Sequence, residues 1–272
     1  MLQHPLTFPQ IHLYNKHMTY LQTVILAIIE GLTEFLPVSS TGHLILAEKF
    51  LGITATEFTK SFNIIIQLSA IFAVILLYWS KIVRSRSLWK TIFIAFLPTG
   101  FFGFVLYKIV KGFLLDNVLI TCLALFFGGL ALLLIDRLPQ LKQTSKKISQ
   151  LSPKGAFSIG LFQCFSMIPG VSRSAASIVG GLVAGLSRTE AVEFSFLLAI
   201  PTMAAASGYD LLKTGFIFTS HEYLLLFIGS LFSFFSALLA VKAFTSFVSK
   251  HSFTIFALYR IVLSLLVGLF LL

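Results

Sequence analysis

Most of this chain consists of long apolar runs that are nearly free of charged residues. A membrane-spanning α-helix needs about 20 such residues to cross ~30 Å of hydrocarbon. On this basis we predict membrane helices over residues 62–79, 91–107, 117–135, 193–212, 223–241 and 253–272. A chain built in this way is an all-α polytopic membrane protein.

The composition supports this class and excludes others. Hydrophobic residues make up 57% of the 272 residues and charged residues only 11%, whereas soluble domains are ~45–50% apolar and ~25% charged. We therefore exclude a soluble enzyme, a disordered chain and a nucleic-acid-binding domain. The net charge of +10 is better explained by basic cytoplasmic loops that face the phospholipid bilayer than by a nucleic-acid partner.

Two further apolar regions, residues 21–51 and 154–186, are interrupted in the middle. The first interruption is the segment 36–43 and the second is the segment 169–174, and both contain Pro, Gly and Ser. Pro removes a backbone donor, and non-helical backbone at membrane depth is tolerated only where protein or a water-filled cavity surrounds it. Each region is therefore predicted to be a re-entrant helix–loop–helix hairpin with a polar tip.

The two interrupted regions mark an internal repeat. Pro37 and Pro169 are 132 residues apart, and the same offset maps the three helices after the first hairpin onto those after the second. The prediction is one integral membrane domain over residues 1–272, made of two repeats that each hold a re-entrant hairpin and three transmembrane helices. Its parts are an N-terminal leader at 1–18, repeat 1 at about 19–136, a loop at 137–152 and repeat 2 at about 153–272.

Basic residues set the expected orientation. Loops 80–90 and 136–154 are rich in Lys and Arg and are separated by two helices, so both should face the cytoplasm. Because three spans per repeat is an odd number, the two copies should be inverted, with their tips meeting near the middle of the plasma membrane. Inverted repeats with broken helices place a site between the repeats.

Two acidic residues precede the first tip. Glu30 and Glu34 are four residues apart and share one helix face. Intramembrane carboxylates are costly, and two on one face repel each other unless a cation or a shared proton relieves them. Their oxygens suit Mg²⁺ or Ca²⁺. The alternative is a pair of acids near the interface whose side chains reach water.

The first tip carries hydroxyls and a histidine. Ser40 and His43 offer a nucleophile and a base, although Ser and Thr here could simply cap the second half-helix. The second tip carries Arg173 between two serines, and Arg binds phosphate bidentately. An ion pair between Arg173 and Glu30 or Glu34 that only joins the repeats is the alternative.

Other polar residues in apolar runs give weaker signals. Gln67 and Glu193 lie on the helices that follow the hairpins and are expected to support the site from behind. Arg260 needs a polar partner that the sequence does not identify, and Asp210 has no assigned role.

Carboxylates with a hard cation, an anion-binding Arg and a nucleophile are the parts of phosphoryl transfer. In a membrane, the natural substrate is a lipid whose head group carries the phosphates. A polyprenyl-phosphate flippase or transporter is the main alternative, because inverted repeats also suit alternating access. A purely structural membrane protein leaves the buried charges unexplained.

The motifs at 30–43 and 169–174 resemble those of the bacterial undecaprenyl-diphosphate phosphatase family, which is also known for bacitracin resistance. The stretch 193–199 is similar too, and the resemblance runs from about residue 19 to the C-terminus. One departure follows the second motif, where the family usually continues Gly-Ala-Thr. This chain has Ala175, Ala176 and Ser177 instead, which keeps a hydroxyl at the third position.

The resemblance implies hydrolysis of undecaprenyl diphosphate to undecaprenyl phosphate and inorganic phosphate, which recycles the carrier lipid for cell-wall synthesis. It implies that Glu30 and Glu34 serve the metal or the acid–base step, with Ser40 as nucleophile, His43 as its acid–base partner and Arg173 as phosphate clamp. The implied substrate-binding residues are Ser39, Thr41, Ser172, Ser174, Ser177 and Gln67. The family needs a divalent cation, Mg²⁺ or Ca²⁺, and acts on the outer side of the inner membrane. Direct attack by water and a homodimer are left open.

Overall fold

The computed structural model describes residues 18–110, 114, 117–138, 145–214 and 218–271. The predicted leader lies outside these residues except for Met18, and so do positions 139–144 of the predicted loop. Within the described part of the chain, ten α-helices and no β-strand are present. An all-α membrane architecture was predicted, and the helical content is confirmed.

Of these ten helices, five lie in each half of the chain. The first half contains α1 (Tyr20–Thr33), α2 (Ser40–Phe50), α3 (Glu57–Arg84), α4 (Arg86–Ile109) and α5 (Val118–Arg137). The second half contains α6 (Pro153–Cys164), α7 (Arg173–Val183), α8 (Arg188–Thr214), α9 (Ser220–Val248) and α10 (Thr254–Leu271).

Both predicted interruptions are present, between α1 and α2 and between α6 and α7. Helices α3, α4, α5, α8 and α9 are long and apolar enough to cross a membrane, whereas α10 is shorter. Large apolar side chains cover much of the outer surface, among them Phe72, Phe93 and Phe227. The protein is a multi-pass membrane protein, and its outward-facing apolar side chains suit contact with lipid.

The two halves pack reciprocally. Helix α1 of the first half packs on α9 of the second, and α6 of the second half packs on α4 of the first. In each case the first helix of one half packs on the fourth helix of the other half. The equivalent helices α5 and α10 pack on each other, as do α3 and α8.

Both reciprocal crossings depend on a glycine. A Cβ atom on Gly31 of α1 would lie 2.4 Å from the Ser233 carbonyl oxygen of α9. A Cβ atom on Gly160 of α6 would lie 2.1 Å from the Ala95 carbonyl oxygen of α4. Small residues let helix backbones approach closely in membranes. The helices that lead into the two tips therefore pack closely through a glycine in each crossing.

Two ion pairs lie away from these crossings. Arg188 Nη2 lies 3.1 Å from the buried carboxylate of Asp136, and Lys81 forms an ion pair with Glu193. Glu193 was expected to support the site behind the tips. The structure instead pairs its carboxylate with Lys81, at the basic end of α3.

Candidate active site

The two tips share an unusual backbone feature. Ser39 and Ser172 are the residues other than Gly that have positive φ in the described chain, at 70° and 75°. Each stands immediately before a half-helix, α2 or α7. Such conformations cost about 1–3 kcal/mol and persist only where the surroundings enforce them. The fold therefore holds the same strained serine at both tips.

The carboxylate of Glu34 joins the two tips. Its Oε2 atom accepts a 2.5 Å hydrogen bond from Ser40 Oγ and a 3.5 Å contact from Gln67 Nε2. Its Oε1 atom accepts a 2.9 Å charge-assisted bond from Arg173 Nη2. One carboxylate thus contacts the hydroxyl of the first tip and the guanidinium of the second.

Arg173 is fixed by neighbours on α8 and by the first tip. Its Nη1 atom donates to the Ser195 carbonyl oxygen at 3.0 Å, and its guanidinium carbon lies 5.5 Å from the centre of the Phe35 ring. Its Nε atom is buried and has no hydrogen-bond partner among the described residues. The ion pair with Glu34 that one of the two interpretations of Arg173 required is present, and the Nε donor is still unused.

Glu30 is buried and its charge is not neutralised by direct contact. Its side chain is 1% exposed, and neither carboxylate oxygen has a hydrogen-bond partner in the described residues. The alternative that Glu30 reaches interfacial water is therefore wrong. Glu34 and Arg173 are the charged groups that act on it. A buried carboxylate of this kind requires a cation or a proton.

A divalent ion at Glu30 would have few protein ligands. Within the described chain, no group of three or more His, Cys, Asp or Glu side chains is arranged to hold a metal. The two unused oxygens of Glu30 nevertheless fit a hard cation, which prefers oxygen ligands and often keeps several waters. A cation here would be held by Glu30 with water completing its ligands, and it would offset negative charge in the site.

The serines of the second tip bridge to the first tip and to α8. Ser174 Oγ donates to the Leu36 carbonyl oxygen at 2.6 Å, and Ser172 Oγ lies 3.0 Å from Ser174 Oγ. Ser177 Oγ donates to Ser195 Oγ at 2.7 Å. Three of the predicted substrate-binding hydroxyls are thus brought together, and all three already have protein partners.

His43 and Ser40 make hydrogen bonds to different partners, so the structure does not show the predicted pairing of these two side chains. His43 Nδ1 lies 2.8 Å from the Ser39 carbonyl oxygen, and Nε2 lies 2.6 Å from the Tyr259 hydroxyl, whose ring stacks on the imidazole. One helical turn separates His43 from Ser39, so the ring lies over that carbonyl while Ser40 turns toward α1. Thr41 is half-buried in the same first turn of α2.

Sequence reasoning missed the part that Arg260 plays. Its side chain is fully buried, and its guanidinium donates to the carbonyl oxygens of Pro37 at 3.2 Å, Gly170 at 2.8 Å and Val171 at 2.9 Å. It also donates to the carbonyl oxygens of Ala124 and Leu125 on α5. The apolar run around Arg260 was the only signal in the sequence, because carbonyl partners leave no mark on residue types.

Asp210 lies outside the tips. It accepts a 2.6 Å hydrogen bond from the Tyr107 hydroxyl, which joins α8 to α4 near their ends. The site proper thus consists of Glu30, Glu34, Ser40, Arg173 and the tip serines. It can activate a hydroxyl through Glu34 and can hold an anion beside Arg173.

Comparison with known proteins identifies relatives along nearly the whole chain. The family model described as bacitracin resistance protein BacA matches residues 23–266. A protein of Aquifex aeolicus named undecaprenyl-diphosphatase is 49% identical over 253 residues, which cover 93% of this chain and 99% of the relative. Proteins of the same name from Sulfurihydrogenibium sp. and Persephonella marina are 50% and 46% identical, over 92% and 94% of this chain and 98% and 100% of the relatives. With a family match of this extent, the chain belongs to the bacitracin resistance protein BacA family.

Proposed function

We propose that this protein hydrolyses undecaprenyl diphosphate to undecaprenyl phosphate and inorganic phosphate, the activity for which its relatives are named. The observation that supports the proposal is the Ser40–Glu34–Arg173 chain of contacts, in which a hydroxyl donates to a carboxylate that also pairs with a guanidinium. The reaction would recycle the carrier lipid for cell-wall synthesis and confer resistance to bacitracin.

In the proposed first step, Ser40 Oγ attacks the terminal phosphorus while Glu34 accepts its proton. The bond from that phosphorus to the bridging oxygen breaks, and undecaprenyl phosphate leaves. Water then attacks the phosphoserine, which releases phosphate and restores Ser40. Arg173 offsets the negative charge on the phosphoryl oxygens during both steps, as positioned cations do in phosphoryl transfer. Attack by water directly, with Glu34 as its base, is the alternative route.

We place the cation at Glu30 and Glu34. Its support is the pair of buried, unpartnered oxygens on Glu30. When bound, Mg²⁺ or Ca²⁺ would neutralise part of the diphosphate charge. Without it, Glu30 and Glu34 repel each other and the incoming anion.

The remaining predicted site residues are assigned to substrate binding and proton transfer. His43 bonds to Tyr259 instead of Ser40, so we assign it to moving a proton between the site and the Tyr259 hydroxyl. The residues proposed to contact the diphosphate are Ser39, Thr41, Ser172, Ser174, Ser177 and Gln67.

The finer architecture is also a proposal. Reciprocal packing of α1 on α9 and of α6 on α4 supports two inverted repeats with re-entrant hairpins, within the domain limits predicted above. The strained serines at equivalent places support it further. We propose an inner-membrane location with the site open to the outer side, and a homodimer stays a prediction. A flippase is not favoured, because it has no use for a hydroxyl bonded to a carboxylate.

The proposal predicts that the purified protein in detergent releases phosphate from a polyprenyl diphosphate with Mg²⁺ or Ca²⁺, and that EDTA stops the release. Arg173→Gln should lower turnover by about 10³-fold or more, because the charge that stabilises the phosphoryl oxygens is lost. Arg188→Gln is the matched control, since Arg188 pairs with Asp136 outside the tips. Absence of release by the wild-type protein, with lipid movement in vesicles, would favour the flippase instead.

A separate experiment distinguishes the two routes of attack. Ser40→Ala should lower turnover by at least about 10³-fold if Ser40 is the nucleophile, and it should abolish the labelled phosphoenzyme that rapid acid quenching traps in the wild-type protein. Ser69→Ala is the control, because the Ser69 hydroxyl only bonds back to its own helix. Substantial turnover by Ser40→Ala would assign the attack to water.

A further inference from the structure

Arg260 is a buried charge without an acidic partner in the described chain. Its guanidinium is fully buried on α10 and donates only to backbone carbonyl oxygens. Burying a cation in an apolar setting is costly even when its donors are satisfied. An apolar side chain would fill this space at lower cost. The presence of a guanidinium here therefore indicates a role beyond packing.

The carbonyl oxygens that Arg260 holds lie at both tips. Nη1 contacts the Pro37 oxygen at 3.2 Å and the Val171 oxygen at 2.9 Å, so one nitrogen bridges the first tip to the second. Nη2 contacts the Gly170 oxygen at 2.8 Å. These groups stand just before the strained Ser39 and Ser172, from which α2 and α7 begin. The planar guanidinium therefore spans the two tips.

Helix α5 anchors the guanidinium and leaves space for it. Nη2 and Nε donate to the Ala124 and Leu125 oxygens at 3.2 Å and 3.4 Å. A Cβ atom on Gly128 of the same helix would lie 2.0 Å from Nη2 and 2.9 Å from the guanidinium carbon. The guanidinium can therefore occupy its observed position only because residue 128 is a glycine.

We propose that Arg260 is a positioning residue for the hydrolysis, acting through the geometry of its guanidinium and not through its charge alone. By holding Pro37, Gly170 and Val171, it fixes the distance between Ser40 on the first tip and Arg173 on the second. The proposal rests on the proposed function. The proposal also implies that the conformation of both tips depends on the Arg260 side chain. This dependence can be measured without an activity assay.

Two variants displace the guanidinium in different ways. Arg260→Lys keeps the charge but cannot reach five carbonyl oxygens, and Gly128→Ala keeps Arg260 but removes the space for Nη2. Both should lower kcat by about a hundredfold, the cost of misplacing reacting groups by about 1 Å, with KM little changed. Arg188→Lys and Gly208→Ala are the matched controls, because Arg188 lies outside the tips and a Cβ atom on Gly208 meets no atom within 4 Å.

Amide hydrogen exchange supplies the readout that does not depend on turnover. In both variants, exchange should rise at residues 38–43 and 171–177 together while α3 and α9 stay protected. A rise confined to α10, an equal rise in every helix, or full kcat in both variants would overturn the proposal. If the wild-type protein releases no phosphate, the proposed hydrolysis fails, and the exchange pattern still decides whether Arg260 couples the tips.

Discussion

Glu34→Gln is expected to lower phosphate release by roughly 10³-fold or more. The amide keeps the size of the carboxylate but cannot accept the Ser40 proton, and positioned general bases contribute about 10²–10⁴-fold. The change also removes the ion pair that orients Arg173 across the tips. The measurement is the initial rate of phosphate release from a saturating polyprenyl diphosphate in detergent.

Glu193→Gln is the matched control for this experiment. Glu193 pairs with Lys81 away from the tips, so its amide should leave turnover close to that of the wild-type protein. Thermal unfolding of both variants should show folded protein at the assay temperature. Near-wild-type turnover of Glu34→Gln would remove Glu34 from the chemistry and leave it as a link between the tips.

Gly31→Val is expected to have the largest effect on stability. Its Cβ atom would lie 2.4 Å from the Ser233 carbonyl oxygen and 2.8 Å from the Ala237 nitrogen, both of which are backbone atoms. Neither atom can turn aside, so α1 must move away from α9. Overpacking costs about 1–3 kcal/mol and occasionally more, and we expect the upper end or above. The midpoint of thermal unfolding in detergent measures the loss.

Gly208→Val carries the same substitution at a position where Cβ meets no atom within 4 Å. It isolates the intrinsic change in helix propensity from glycine to valine, which is below about 1 kcal/mol and favours the helix. If the two valine variants unfold at the same temperature, the close crossing of α1 and α9 does not limit stability. Gly31→Val should also reduce turnover, because α1 carries Glu30 beside the glycine.

The helices were predictable from the sequence because the bilayer leaves few choices. Backbone groups in hydrocarbon must bond within their own segment, so an uncharged run of sufficient length indicates a helix. The interruptions at Pro37 and Pro169 were predictable because Pro removes a backbone donor and the Gly and Ser residues beside it loosen the helix. The presence of Glu30, Glu34 and Arg173 in such runs indicated a site, because lipid offers nothing to offset their charge.

The contacts within the site were harder to predict. His43 follows Ser40 by three residues, yet the strained turn at Ser39 directs their side chains to different neighbours. The sequence allowed Arg173 to pair with Glu30 or with Glu34, and the structure has the pair with Glu34. The partners of Arg260 are backbone oxygens, for which residue identity gives no signal.

The position of Arg260 in the chain has a consequence for biosynthesis. The chain is synthesised from its amino end, so both tips are made well before α10. During that interval the carbonyl oxygens of Pro37, Gly170 and Val171 lack their guanidinium donor. A chain halted before residue 260 would leave these backbone oxygens without that donor, which is a feature that quality-control proteases could detect.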